Sequence, residues 1–127
     1  GLMPPTVTHQ AGEWAAFSSV AYDCISYNFS MAHEIGHNLG AAHDKVNFGE
    51  GSYSPQFPYA YGYQDPECVW HTIMAYSCEN GSSRIPYFSN PRIREPETER
   101  RLGVANESDV SQAIINTMRT VAAYRIH

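Results

Sequence analysis

Twelve consecutive residues constrain this chain more than any others: His33-Glu34-Ile35-Gly36-His37-Asn38-Leu39-Gly40-Ala41-Ala42-His43-Asp44. On a helix of 3.6 residues per turn, His33 and His37 stand one turn apart on the same face. Two imidazoles so placed can reach a single Zn²⁺ at about 2.0–2.1 Å each. Glu34 follows its histidine directly and can address a metal-activated water without being a ligand. His43 joins the pair only if the helix stops, because six further helical residues would turn it by about 240° and lift it by about 9 Å. Gly40 lies between them, where a left-handed residue costs little. Three neutral histidines with a fourth position open match a catalytic zinc rather than a closed structural one. The five specified positions arise by chance in roughly one in tens of thousands of chains this long. A metal there would bring a water's pKa from about 15.7 towards ~7, with Glu34 as the base that takes its proton. Metal-assisted peptide hydrolysis is the chemistry implied.

The remainder of the chain sets bounds. Its 127 residues suit one domain, spanning 1–127. Eight Lys+Arg against thirteen Asp+Glu, a net charge of −5 with no basic stretch, argue against a nucleic-acid binder. No apolar run approaches the ~18–20 residues of a membrane helix, and Gly1-Leu2-Met3-Pro4-Pro5 has no signal-peptide pattern. Cys24, Cys68 and Cys78 permit one bridge with a thiol left over, or none. Cys68 and Cys78, ten residues apart around one turn-rich segment, are the expected pair.

Element by element, residues 1–12 are an irregular lead-in, and 14–25 (Trp14 to Ile25) are apolar enough for strand or buried helix alike. Asn28 to Leu39 is expected to be a helix capped by Asn28 or Ser30. Its apolar face would be Phe29, Ala32, Ile35, Gly36 and Leu39. Gly49, Gly51, Pro55, Pro58 and Gly62 make 47–64 a long loop packed down by tyrosines. Residues 85–93 are expected to be irregular and 94–101 a solvated loop. Asp109 and Gln112 at capping-box spacing open a helix over about 109–125, with Val110, Ile114, Met118, Val121, Ala122 and Arg125 repeating at helical intervals. His9, His71 and His127 read as surface or satisfied side chains. Asp44 reads as a turn-stabilising carboxylate that accepts hydrogen bonds from nearby backbone or from a ligand histidine.

The zinc motif resembles that of the metzincin endopeptidases, and Asp44 directly after His43 resembles the adamalysin/reprolysin branch, its bacterial reprolysin-like members in particular. Thr72-Ile73-Met74-Ala75-Tyr76 is similar to the Met-turn, whose methionine lies beneath the histidines. Tyr76 is placed like a tyrosine that serves as an extra zinc ligand in astacins and serralysins, although the adamalysin pattern usually lacks it. A phenol there could hydrogen-bond a developing oxyanion; packing is the alternative for one of nine tyrosines. Residues 84–91, Arg-Ile-Pro-Tyr-Phe-Ser-Asn-Pro, resemble the segment walling the S1′ pocket, and Gly103-Val104-Ala105-Asn106 also fits the branch. The match covers about residues 14–125.

The resemblance implies an α+β fold: a metzincin-like catalytic domain with active-site helix, Met-turn, irregular lower subdomain and C-terminal helix. It also implies a secreted, monomeric enzyme acting on proteins or peptides. Family members carry a twisted sheet and another helix before the active-site helix, yet 27 residues precede Asn28 here. The N-terminal sheet is therefore expected to be largely missing, with Gly1 to Pro5 a remnant of its edge strand and Cys24 without its partner. A fragment, or a zinc-stapled binding module without turnover, is the competing reading.

Overall fold

The computed structural model describes residues 17–25, 28–49 and 54–124. The lead-in, His9, His127, Arg125 and the proposed edge-strand remnant lie outside them, as do Trp14 to Ala16.

The first described stretch forms only a 3₁₀ turn, Tyr22–Cys24, with no buried residue and with Cys24 free and exposed. Helix α1 covers Ser30–Asn38. Neither expected cap serves it. Phe29 is the N-cap, without a side-chain cap bond, and both Asn28 (φ 58°) and Phe29 (φ 55°) are left-handed. The Asn28 carbonyl is held at 2.9 Å by Arg84 Nη1, so a tertiary contact sets the entry angle.

The far end of α1 follows the sequence closely. Gly40 has φ 89°, its N–H bonds the His37 carbonyl at 2.9 Å, and the Ala41 N–H bonds the Gly36 carbonyl at 3.0 Å. This pair of bonds is a Schellman motif with glycine in the left-handed position. The expected apolar face needs correction. Ile35 is 44% exposed and Phe29 40%, while His33, Gly36 and His37 form the buried stripe. Ile35 sits two positions from His33 and His37, and its side chain leaves the helix on another side.

A second 3₁₀ turn, Lys45–Asn47, is capped by Asp44, and no helix or strand forms from there to Val69 among the described residues. Strands β1 (Trp70–His71) and β2 (Ser83–Arg84) pair in parallel, Trp70 with Ser83 and His71 with Arg84. The expected Cys68–Cys78 disulfide joins the residues before β1 to the chain leading into β2, with Cα atoms 5.9 Å apart.

The irregular reading of 85–93 is overturned at its end. Strand β3 (Asn90–Arg94) pairs antiparallel with β4 (Arg101–Leu102) across an irregular register. Pro91 is tolerated because β3 has a single partner strand and Pro91 need not donate to the ladder. The connection between the strands is not simply solvated. Glu95, 8% exposed, accepts bonds from Glu97 N, Thr98 N and Thr98 Oγ1, and Arg100 grips Asp65 with Nε and Nη2 at 2.6 and 2.7 Å.

Helix α2 covers Val110–Ala122, capped by Asp109, which accepts from Gln112 N at 3.0 Å. The box is half made, because the Gln112 side chain bonds Asn116. The inward stripe is Val110, Ala113 and Thr117; Met118, expected in the face, is 46% exposed. Ala41, Ile73, Met74 and Val110 form a small core, with Ala32, Phe88 and Ile114 against it. Thr117 Oγ1 donates to the Leu39 carbonyl at 2.8 Å, tying α2 to the end of α1. Among the described residues no helix is long and apolar enough to cross a membrane.

Candidate metal centre

His33 and His37 face inward from α1, and the reversal at Gly40 returns His43 to them. His43 Nε2 lies 3.2 Å from His33 Nε2 and 3.1 Å from His37 Nε2. The three donor atoms lie within 4.8 Å of one another. Two ligands of a tetrahedral zinc with bonds of ~2.0–2.1 Å stand about 3.3 Å apart, close to the two distances from His43.

The second ring nitrogens explain why the donors point inward. His33 Nδ1 donates to the Ile73 carbonyl at 2.7 Å and His37 Nδ1 to the Ala41 carbonyl at 2.9 Å. A carbonyl only accepts, so each Nδ1 carries the proton and each Nε2 keeps its lone pair. A proton on His43 Nε2 could bridge to one neighbour but not to both. A cation shared by the three resolves the remaining contact.

Burial, above all, holds His33 at a pKa of about 4, with the charges of His37, His43 and Arg84 adding to the effect and the Ile73 bond opposing it. His43 is likewise held at about 4, first by burial and then by the His37 charge. Burial also lowers His37. All three are therefore neutral at pH 7, the protonation state a metal ligand needs.

The remaining expected residues surround this cluster. Glu34 is half-buried on α1 beside His33. Asp44 is 2% exposed and ties two segments together, accepting from Asn47 N and Nδ2 at 3.1 and 2.8 Å and from Tyr76 N at 2.8 Å. Tyr76, 44% exposed, places its ring 4.3 Å from that of His43. Met74 is fully buried beneath α1, and a Cβ on Gly36 would collide with its Sδ. Glycine between the two histidines lets the methionine lie against the helix backbone. His71 is a satisfied core histidine, bonded to Ser82 Oγ at 2.8 Å and accepting from Arg84 Nε at 3.3 Å.

Two backbone carbonyls escaped the sequence reading. The Ile73 and Ala41 carbonyls orient the ligands, and no side-chain pattern marks a carbonyl. Arg84, which the sequence placed only within the segment 84–91, bonds both the carbonyl before α1 and that of Ala75 after Met74.

A helix, a glycine reversal and three converging imidazoles form a cluster that could hold a metal ion. A family model described as Metallo-peptidase family M12B Reprolysin-like matches residues 6–117. The chain belongs to this M12B reprolysin-like metallopeptidase family. Zinc is the metal the family implies, and the donor set fits it. The chain is 41% identical over 110 residues to a peptidyl-Asp metalloendopeptidase of Xanthomonas campestris pv. campestris, covering 87% of this chain and 25% of that one. It is 40% identical over 113 residues to the peptidyl-Asp metalloendopeptidase of Stenotrophomonas maltophilia, covering 87% and 26%. A protein of that name from Pseudomonas fragi is 39% identical over 106 residues, covering 83% and 65%. The chain thus spans about a quarter of the length of the first two.

Proposed function

We propose that this chain carries the catalytic centre of a secreted zinc endopeptidase that hydrolyses peptide bonds next to aspartate. The observation that carries the reading is the convergence of three neutral imidazoles, two of them tied through Nδ1 to backbone carbonyls. Bound zinc would supply Lewis acidity, polarising the scissile carbonyl and lowering the pKa of the attacking water. His33, His37 and His43 would hold the ion. Glu34, next to His33, takes the proton from the attacking water and delivers it to the leaving amine. The Tyr76 phenol, beside His43 and open to solvent, donates to the carbonyl oxygen as negative charge gathers there. Met74 acts as the Met-turn residue, a floor that keeps the helix and its histidines at one height. The peptidyl-Asp names of the relatives support aspartate as the recognised residue.

The test is Glu34→Gln. The variant is expected to keep its zinc and to lose at least about a hundredfold in cleavage rate of a denatured protein substrate, because a general base typically contributes 10²–10⁴-fold. Unchanged cleavage would refute the role of Glu34. No chelator-sensitive cleavage by the folded, zinc-loaded parent would favour a metal-stapled module.

A further inference from the structure

Arg84 closes β2 and is half-buried. Its Nε donates to His71 Nε2 at 3.3 Å, Nη1 to the Asn28 carbonyl at 2.9 Å and Nη2 to the Ala75 carbonyl at 3.4 Å. Each of these acceptors is uncharged. Lys45 faces Glu107, Arg92 chelates Asp109, and Arg100 is held by Asp65 and Glu67. Arg94, Arg101 and Arg119 are exposed to water. Among the described residues Arg84 is the half-buried cation whose charge no carboxylate offsets. Withdrawing a cation from water without a counter-charge is costly, and such a group is suited to an anion that arrives with a ligand.

Its position says which ligand. The guanidinium joins the chain just before α1 to the residue after Met74, at the edge of the metal centre. Of its five N–H groups three are engaged, leaving one on each terminal nitrogen to donate to a further acceptor. The cavity beside Asp44 offers no such site. Asp44, Asp65 and Glu107 line it, and its one lysine, Lys45, already faces Glu107.

We propose that Arg84 receives the side-chain carboxylate of an aspartate in the bound peptide and so determines the specificity of the metal centre. The proposal rests on the endopeptidase reading for its substrate, but its test does not need turnover. Peptides identical except for Asp or Asn at one position are titrated calorimetrically into the zinc-loaded chain, with Glu34→Gln as background to prevent cleavage. A charge-assisted pair of hydrogen bonds should favour the Asp peptide by roughly ten- to a hundredfold. Arg84→Gln is expected to bring the Asp-to-Asn affinity ratio to about one, over and above any loss common to both peptides from the broken Asn28 and Ala75 bonds. Arg84→Lys, which keeps the charge and loses the fork, should retain part of it. Equal weakening of both peptides by Arg84→Gln would make Arg84 a structural staple only and overturn the proposal. So would an Asp preference that survives Arg84→Gln, or no preference in the parent. A chain that shows the Arg84-dependent preference yet cleaves nothing with Glu34 intact would sink the hydrolytic reading and leave this one standing.

Discussion

Asp65 shows what single residues contribute to the frame behind the site. It is 1% exposed and accepts two bonds from Arg100 and one from Val69 N. Burial pushes its carboxyl up, but the Arg100 bond and charge with the backbone N–H bonds of Val69 and Glu67 outweigh it and leave it below its ordinary 3.8. The folded protein therefore binds fewer protons than the unfolded chain just below pH 3.8, and the pair stabilises the fold above that pH. Urea unfolding of the parent and of Asp65→Asn should show a stability difference that is constant from neutrality to about pH 4 and shrinks as the pH falls further. A difference that is the same at pH 3 and pH 7 would contradict the pairing. Neither Asp65 nor Arg100 stands out in the sequence. Thirty-five residues separate them, and the charge run holding Arg100 has the composition of any solvated turn.

At the scale of elements, a loop backbone supports the Met74 segment from below. Gly62 passes so close that a Cβ there would lie 2.6 Å from Ala75 N and 2.7 Å from the Met74 carbonyl carbon. These are main-chain atoms and cannot rotate aside. Gly62→Ala is expected to destabilise the fold by about 1–3 kcal/mol, the usual cost of overpacking, read from denaturant midpoints. An unchanged midpoint would mean that the loop is free to move off. The elements themselves were unevenly legible. Gly40 and Asp109 mark a helix end and a helix start through their own backbone and side-chain chemistry, so local sequence sufficed. The entry to α1 depends on Arg84 reaching Asn28 across 56 residues, and β3 forms despite Pro91 because β4 pairs with it. Contacts between distant segments decided both, and no local window contains them. The inward face of α1 was misread for a related reason. Besides Gly36, its buried positions carry His33 and His37, which an apolar pattern does not mark.

Among the described residues the clustered hydrophobic core is small. The core joins Met74 and Ile73 beneath α1 to Val110 of α2, and the polar residues above it converge on one point. This convergence was the part of the site most legible in advance. The spacing of His33, Gly40 and His43 admits few chain paths, and a Schellman turn is the one the structure follows. A cation bound there stabilises the folded state by its affinity for that state alone. X-ray absorption on the zinc-loaded chain tests the central claim directly. One zinc per chain should be surrounded by three imidazole nitrogens at about 2.0–2.1 Å, falling to two in His43→Ala. A sulfur scatterer at about 2.3 Å, which would bring in Cys24, or an imidazole count unaffected by His43→Ala, would contradict it.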